Sequence, residues 1–259
     1  MNYSLKLLYS GSDGNAALLR VGDAAILIDA GRTAKSLCGA LAAEGISPDS
    51  LQAIFLTHEH RDHTAALDVF IKHHPVPVHM TAGCAVQLRR FAGEALSRQI
   101  VEHPPLFTVD LGCVSLCSFP TLHDSEGSVG YHITVREGEV LHHLGYATDL
   151  GVSTPAVEQA LLGCEAVVIE CNHDEEMLQT GPYPYPLKRR IASRYGHLSN
   201  TDCAALCAKL AANGTKRFLL AHLSETNNLP DLALGEVRAA LAGFSAEVRA
   251  AHPIYTTEL

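Results

Sequence analysis

The segment His58-Glu59-His60-Arg61-Asp62-His63 contains four side chains of types that commonly bind metal ions. It follows Ala53-Ile54-Phe55-Leu56-Thr57, a short apolar run that is typical of a buried strand. Side chains two apart on an extended backbone point the same way, so the first two histidines can converge on one ion. The aspartate and the last histidine come where the chain should turn into a helix, and they can reach a second point nearby. The spacing and the preceding strand favour a site for two metal ions over a polar loop with surface histidines.

The composition fits a globular protein and limits its partners. The chain of 259 residues is 47% hydrophobic, which is enough for the core of one large α/β domain. Its net charge is −9, from 19 basic and 28 acidic residues. This balance argues against an extended nucleic-acid-binding surface, which needs a basic stripe. It does not exclude a phosphate ester as substrate, because two divalent ions would make the site locally positive.

The sequence shows no membrane-spanning or secretory segment. No apolar run approaches the roughly 20 residues that span a bilayer, and Met1–Lys6 does not resemble the start of a signal peptide. The eight cysteines form no Cys-x-x-Cys pair, and Cys203 and Cys207 are spaced for packing on one face of a helix. We therefore expect a cytoplasmic protein with reduced thiols. Nothing in the sequence indicates its oligomeric state.

The hydrophobic pattern predicts strands and helices along the whole chain, in one domain over residues 1–259. The predicted strands are Leu5–Tyr9, Ala16–Val21, Ala24–Asp29, Ala53–Leu56, Val78–Thr81, Val114–Phe119, Gly130–Val135, Val140–Tyr146, Ala166–Glu170 and Arg217–Ala221. The predicted helices are Ala34–Glu44, Ala65–His74, Gly83–Phe91, Pro155–Leu162, Thr201–Asn213 and Leu232–Leu241. The polar stretch Glu94–Pro105 is predicted to be connection. Each half of the chain opens with strands, which favours two packed sheets with helices outside.

Three later residues end or follow apolar runs, where ligands of a site at strand ends should lie. His123 comes shortly after the strand Val114–Phe119, Asp149 closes Leu144–Thr148, and His222 closes Phe218–Ala221. Each alone is more often an ordinary polar residue at a strand end. Together with the histidine-rich segment, they favour a shared metal site.

At these residues the chain resembles the metallo-β-lactamase-fold hydrolases, specifically their bacterial YycJ/WalJ-type branch. The matching elements are Gly11–Asn15, Leu27–Gly31, Thr57–His63, His123-Asp124, Ala147–Gly151, Glu170–Asp174, Gly196–Asn200 and Ala221–Ser224. The resemblance implies an α/β (α+β) fold, a four-layer αβ/βα sandwich of two mixed β-sheets flanked by helices. It covers nearly the whole chain.

The resemblance also implies two divalent metal ions, which could be Zn, Mn or Fe. The implied ligands are His58, His60 and His123 for the first ion, Asp62, His63 and His222 for the second, and Asp149 as a bridge. Two ions sharing one water make hydroxide available near neutral pH. Asp62 would orient or deprotonate it. Asp29 could hold ligand histidines in place, or only cap a turn.

His197 is the main candidate for contact with the substrate. Its Gly-His-Leu-Ser-Asn element is similar to one in RNase J-like nucleases, where the histidine contacts the scissile phosphate; a loop histidine bonded to the backbone is the alternative. The helix start after it could offer N–H groups to the same phosphate. The further candidates for substrate binding are Asn172, His173, Ser199, Asn200, Lys188 and Arg189. The basic run could equally be a solvated helix face, and the tyrosines beside it could stack on bases or only stiffen a loop.

The branch implies 5′-to-3′ exonuclease action, with DNA rather than RNA as the expected substrate. The interval between Asp149 and His222 leaves no room for the β-CASP insertion of RNase J-like nucleases, which argues against clamping of long RNA. A two-metal site also serves small-molecule esters, thioesters and phosphodiesters, so such a hydrolase is the alternative. A metal-binding module without catalysis is a third interpretation.

Overall fold

Two mixed β-sheets of seven strands each pack face to face in the computed structural model, which describes residues 3–259. The strands are β1 Tyr3–Tyr9, β2 Ala16–Val21, β3 Ala24–Ile28, β4 Leu51–Phe55, β5 Val78–Thr81, β6 Ile100–His103, β7 Thr108–Asp110, β8 Val114–Pro120, β9 Val129–Glu137, β10 Val140–Ala147, β11 Ala166–Glu170, β12 Arg217–Ala221, β13 Glu247–Ala250 and β14 Thr257–Glu258. The first sheet has the order β14-β1-β2-β3-β4-β5-β6, and the second has the order β13-β12-β11-β10-β9-β8-β7.

The helices lie against the outer faces of the sheets or in the connections. They are α1 Ala34–Ala43, α2 Arg61–Thr64, α3 Leu67–His73, α4 Ala82–Leu88, α5 Glu94–Gln99, α6 Pro155–Leu161, α7 Glu175–Thr180, α8 Tyr185–Ile191, α9 Asn200–Ala212 and α10 Pro230–Ala240, with a 3-10 turn at Pro48–Ser50. Within residues 3–259, none of these helices has both the length and the apolar character needed to cross a bilayer.

Three hydrophobic cores give the molecule its four layers. In β3, Leu27 packs toward the helices outside the first sheet, while Ile26 and Ile28 pack between the sheets. In β12, Leu219 packs between the sheets, and Phe218 packs against the helices outside the second sheet. This alternation follows from the two-residue period of a strand that is covered on both faces. The predicted sandwich of two mixed sheets flanked by helices is thereby confirmed.

Strand direction places the candidate residues at one edge of the sandwich. Strands β3, β4, β5 and β6 run parallel in the first sheet, and β10, β11, β12 and β13 run parallel in the second. Asp29 follows β3, His58 follows β4, Asp149 follows β10 and His222 follows β12. The carboxyl ends of neighbouring parallel strands meet, so these side chains converge.

Several local predictions were wrong. The stretch Glu94–Pro105, predicted to be connection, contains helix α5 and the edge strand β6. It has few apolar residues, and α5 buries only Leu96. The helix predicted over Ala65–His74 is α3, Leu67–His73, and a separate short helix, α2, precedes it at Arg61–Thr64. Between the two helices, the Ala66 N–H donates to the Ala30 carbonyl. Helices α2, α7 and α8 and strands β7, β13 and β14 were not predicted, since each is short and buries at most one apolar residue.

Candidate metal centre

The candidate ligands from both sheets meet in one cluster at this edge. Four overlapping groups each bring one ligand atom per residue within 4.8 Å of the others: His58, His60 and His123; Asp62, His63 and His222; His58, His63 and Asp149; and Asp149, Glu170, His197 and His222. All seven residues that the sequence nominated as ligands belong to these groups. Glu170 was not nominated.

The first trio is built by the turn after β4 and the loop after β8. His58 is fully buried, and its ring lies 4.5 Å from that of His60 and 5.0 Å from that of His123, centroid to centroid. His123 Nε2 lies 3.3 Å from His60 Nδ1. Glu59, between the two histidines, accepts hydrogen bonds from the Ser125 hydroxyl and the Glu126 N–H and so fixes the loop that carries His123.

The second trio is built by helix α2 and the end of β12. His63 Nε2 lies 3.2 Å from Asp62 Oδ2, and His222 Nε2 lies 3.5 Å from the same oxygen. Asp149 lies between the trios: its Oδ2 is 3.2 Å from His63 Nε2, and its Oδ1 is 3.8 Å from His123 Nε2. One carboxylate thus presents its two oxygens to both trios, as a bridging ligand would.

The ring nitrogens that face away from the cluster are held by the protein. Asp29 Oδ2 lies 2.8 Å from His63 Nδ1, and the Gly196 carbonyl lies 2.9 Å from His123 Nδ1. Glu170 Oε1 lies 2.9 Å from His222 Nδ1. Such partners are typical of metal-binding histidines, because a donated outer N–H leaves the inner nitrogen free to bind a metal ion. The same Asp29 carboxylate also accepts from the N–H and the hydroxyl of Thr57, so it both holds a histidine and caps the turn.

The backbone is strained where the site is built. Asp29, Asp149 and His222 have φ values of 63°, 56° and 56°, in the left-handed region that residues with a side chain seldom adopt. Such strain persists only where surrounding contacts hold it, and it is common at functional sites. Here, for example, the His222 N–H donates to the Ser10 hydroxyl over 2.8 Å.

Buried carboxylates dominate the electrostatics of the cluster. Burial opposes a charge on His63, but Asp29, Asp62 and Asp149 outweigh it and raise its pKa well above the usual range. Burial lowers the pKa of His58 well below its usual value. Burial also opposes ionisation of Asp149, yet the neighbouring imidazoles hold its pKa well below the ordinary range. The carboxylates of Asp62 and Asp149 therefore stay ionised and can attract a cation.

The residues present fit a divalent metal ion. Three buried atoms in the cluster, His58 Nε2, His222 Nε2 and Asp149 Oδ2, have no hydrogen-bond partner among residues 3–259. A buried polar atom without a partner costs about 1–3 kcal/mol, and metal ions bound in the two trios would satisfy all three. Imidazole and carboxylate are ligands that divalent ions accept.

The structure adds two residues whose importance the sequence did not show. Glu170, fully buried at the end of β11, lies 2.8 Å from His197 Nδ1 as well as 2.9 Å from His222 Nδ1. The Asn15 side-chain amide lies 3.2 Å from Asp62 Oδ2 and 3.1 Å from His63 Nε2. The only signals in the sequence were an acid ending an apolar strand and the Gly11–Asn15 turn. That turn thus contacts the cluster through Asn15.

Two cavities extend from His197. One, of about 260 Å³, is also lined by His173, Ser199 and Asp202. The other, of about 240 Å³, is also lined by His123, Asn172, Tyr183 and Arg190. The His197 imidazole is bonded to the Glu170 carboxylate rather than to backbone, and it is partly exposed. His173 is buried, and its Nδ1 has no hydrogen-bond partner among residues 3–259.

The other predicted substrate residues differ in where they lie. The Asn172 side chain donates to the His222 carbonyl, and the Ser199 hydroxyl caps helix α9 while lining the first cavity. Asn200 is buried and bonded to Asn228, so its side chain faces the interior. Lys188 donates to the Gln179 carbonyl, and the Arg189 guanidinium lies 6.0 Å from the Tyr185 ring. Of the basic run on helix α8, Arg190 lines a cavity beside His197, and it pairs with Asp124.

The fold and the cluster define a metal-dependent hydrolase, and comparison with known proteins agrees. The family model described as a beta-lactamase superfamily domain matches residues 24–223, and the chain belongs to this family. The resemblance to its YycJ/WalJ-type branch is also confirmed. The chain is 30% identical to exodeoxyribonuclease WalJ of Streptococcus pneumoniae serotype 2 (strain D39) over 235 residues, 90% of this chain and 86% of the relative. It is 30% identical to exodeoxyribonuclease YycJ of Bacillus anthracis over 260 residues, 100% of this chain and 96% of the relative.

Solved structures of the same fold are more distant in sequence. The metallo-β-lactamase fold protein YhfI of Bacillus subtilis superimposes with a TM-score of 0.70 at 18% identity, covering 99% of this chain and 100% of its own. The Zn²⁺-bound PqqB of Methylobacterium extorquens gives a TM-score of 0.70 at 17% identity, covering 99% and 100%. These similarities concern the fold.

Proposed function

We propose that the protein is a phosphodiesterase that depends on two divalent metal ions and degrades DNA from the 5′ end. The carrying observation is that a partly exposed histidine, His197, stands beside a cluster of candidate ligands and shares a carboxylate with one of them, His222. The two relatives at 30% identity, both named exodeoxyribonucleases, support DNA as the substrate. We further propose one domain over residues 1–259 without a β-CASP insertion. Eight free cysteines also suit an enzyme of the reducing cytoplasm.

The ions would be held by the residues of the two trios. We assign His58, His60 and His123 to the first ion, Asp62, His63 and His222 to the second, and Asp149 to both. Zn, Mn and Fe each suit this ligand set. When bound, such ions supply Lewis-acid activation of water and of the phosphoryl group.

The protein's own groups would complete the reaction. Asp62, whose side chain is partly exposed and held by Asn15, orients the attacking water. His197 donates a proton to the leaving oxygen, while Glu170 accepts a hydrogen bond from the other ring nitrogen and keeps the imidazole in place. Asp29 holds His63 in its ligand orientation.

The cavities beside His197 would receive the strand. We propose that His173 and Ser199 contact the substrate from the first cavity, and that Asn172 acts indirectly by holding the His222 backbone. Arg190 is the cation closest to the second cavity, and Lys188 and Arg189 would attract the DNA backbone from further out on helix α8.

The assay is degradation of end-labelled duplex DNA, single-stranded DNA and RNA with Mn²⁺ or Zn²⁺. We expect the products to be 5′ mononucleotides. On 5′-labelled DNA, the label should be released at the start of the reaction. In His197→Ala, kcat should fall by roughly 10²- to 10⁴-fold, the usual contribution of a general acid. The metal content of the variant, measured by elemental analysis, should equal that of the wild type.

The matched control is His73→Ala, which removes an exposed histidine at the end of helix α3 and should leave kcat unchanged. Inertness toward every nucleic acid would contradict the proposal and favour the small-molecule hydrolase. Full activity of His197→Ala would contradict the role of this histidine.

A further inference from the structure

A groove on the other side of His60 has no role in the reaction described so far. One wall consists of Leu88, Phe91 and Leu96, at the end of helix α4 and in helix α5, and the other wall includes His60 and Arg61. We call it the α4 groove. Its volume of about 540 Å³ lies within the range of roughly 300–1,000 Å³ that is usual for ligand sites. It shares no lining residue with the two cavities beside His197.

Phe91 lies in this groove with 86% of its surface exposed. The turn that carries it is held in place: the Phe91 N–H donates to the Leu88 carbonyl, and the Gly93 N–H donates to Asp68 Oδ1 over 2.6 Å. An exposed aromatic side chain on a fixed backbone contributes little to folding. It does offer a flat apolar surface on which a planar group can stack.

The polar groups of the α4 groove complement a nucleotide. The Arg61 guanidinium and the Gln87 carboxamide have no hydrogen-bond or ion-pair partner among residues 3–259. The two acids in the lining are already bonded: Glu59 to Ser125 Oγ and the Glu126 N–H, and Asp68 to the Gly93 N–H. A free guanidinium binds phosphate oxygens, and a carboxamide can both donate to and accept from the edge of a base.

We infer that the α4 groove binds a nucleotide adjacent to the scissile phosphate, with its base stacked on Phe91 and its phosphate bound by Arg61. The inference rests on the proposed function, and it adds a base-binding subsite to it. The groove begins at His60, which is also a candidate metal ligand. A nucleotide in the groove would therefore lie next to the nucleotide whose phosphate is cleaved. Stacking accepts every base, so this subsite would hold a strand without selecting its sequence.

The test combines a protein variant with a DNA variant. Wild type, Phe91→Ala and Phe91→Trp are assayed on 5′-labelled DNA that carries one abasic residue, placed in turn at each of the first positions. For the wild type, the abasic residue should raise KM at one position by roughly 5- to 150-fold, the usual effect of losing one stacked base. Phe91→Ala should raise KM on intact DNA to the same extent and leave kcat little changed. Phe91→Trp should have the KM of the wild type, because its ring can also stack.

On DNA with the abasic residue at that position, Phe91→Ala should raise KM no further, because the variant and the abasic residue remove the same contact. Val140→Ala is the matched control: it shortens another exposed apolar side chain, at the start of β10 and remote from Asp149. The subsite would be overturned if KM were unchanged in Phe91→Ala, or if the fold-increases in KM from Phe91→Ala and from the abasic residue multiplied when combined. Either result would leave the exonuclease proposal intact. A wild type that cleaves no DNA would overturn the proposed function and this inference together. Because Phe91 is exposed, Phe91→Ala should unfold at the same temperature as the wild type, which calorimetry checks.

Discussion

Glu170 shows how much of this site depends on a single carboxylate. Oε1 lies within hydrogen-bond distance of both His197 and His222, and Oε2 accepts from the N–H groups of Leu150 and Leu198. Burial opposes its charge, but the neighbouring His197 and the hydrogen bonds with His197 and His222 lower its pKa to about 2. The group is therefore a permanent anion that orients a candidate ligand and the candidate acid together.

Replacing this anion should weaken both functions. In Glu170→Gln the side chain keeps its size, but its charge is lost and one of its two acceptor oxygens becomes an NH₂ donor. We expect a 10- to 100-fold loss of metal affinity, the usual effect of removing such a partner, together with a lower kcat. Calorimetric titration with Mn²⁺ or Zn²⁺ measures the first effect, and a DNA cleavage assay measures the second.

The control for this variant is Glu165→Gln, which changes a partly exposed acid just before β11 that is bonded to Tyr3 and His142. It should leave metal affinity unchanged. If Glu170→Gln bound metal as tightly as the wild type, Glu170 would not position His222.

At the residue scale, local spacing could be predicted and long-range pairing could not. The segment His58–His63 was recognisable because its ligand types are close in sequence and follow a strand. The link from Glu170 to His197 and His222 joins residues 27 and 52 positions apart. No periodicity encodes such a contact, since it depends on the order of strands within the second sheet. The left-handed backbone at Asp29 was likewise invisible, because aspartate also occurs in ordinary turns.

Helix α9 is the element that carries the segment around His197. It begins at Asn200, and the Ser199 hydroxyl caps it by accepting from the Asp202 N–H over 3.2 Å. His173 and Ser199 also pair in a short β-bridge. The helix start thus fixes one wall of the cavity beside His197.

Two cap substitutions separate stability from activity. Ser199→Ala and Thr154→Ala each remove a side-chain cap, at α9 and at α6, and each should lower the free energy of unfolding by about 1 kcal/mol. Urea denaturation measures this loss. Only Ser199→Ala should also reduce kcat, because only that cap adjoins His197. Equal activity in the two variants would mean that the cap of α9 serves stability alone.

Elements were predictable where they bury an apolar face. Strands β4, β11 and β12 bury nearly all of their residues and stand out in the sequence as mainly apolar runs. Helix α7 buries only Leu178, and α8 buries no residue completely. Strand β6 forms because it pairs with β5, and its own hydrophobic pattern does not indicate a strand. Tertiary contacts determine such elements, and one sequence carries little trace of them.

On the scale of the whole molecule, the candidate centre joins the two sheets. His58–His63 follow β4 of the first sheet, whereas His123, Asp149 and His222 follow strands of the second. Ions bound there would hold ligands from both sheets at once. Metal binding should therefore stabilise the sandwich as a whole as well as enable the reaction.

Removing metal should lower the unfolding temperature. A ligand present at 100 times its Kd stabilises the folded state by about 2.7 kcal/mol if it does not bind the unfolded chain. Differential scanning calorimetry of metal-loaded and chelator-treated protein measures the shift. The variant His123→Ala, which removes a candidate ligand that follows β8 of the second sheet, should show a much smaller shift. Equal unfolding temperatures with and without metal would contradict a centre that joins the sheets.

The layered architecture itself was predictable, because strand-rich blocks followed by helices leave few arrangements that cover every apolar face. The strands at the edges of the sheets could not be predicted, since β7, β13 and β14 span only two to four residues.

Those short outer strands have a consequence for how copies of the protein meet. A sheet ends in unpaired N–H and C=O groups that can recruit a strand from another molecule. The first sheet ends at β6 and β14, and the second at β7 and β13; each of the four contains at least one acidic residue, Glu102, Glu258, Asp110 and Glu247. None of them exceeds four residues. Both sheets therefore finish in brief, charged borders that discourage aggregation through strand addition.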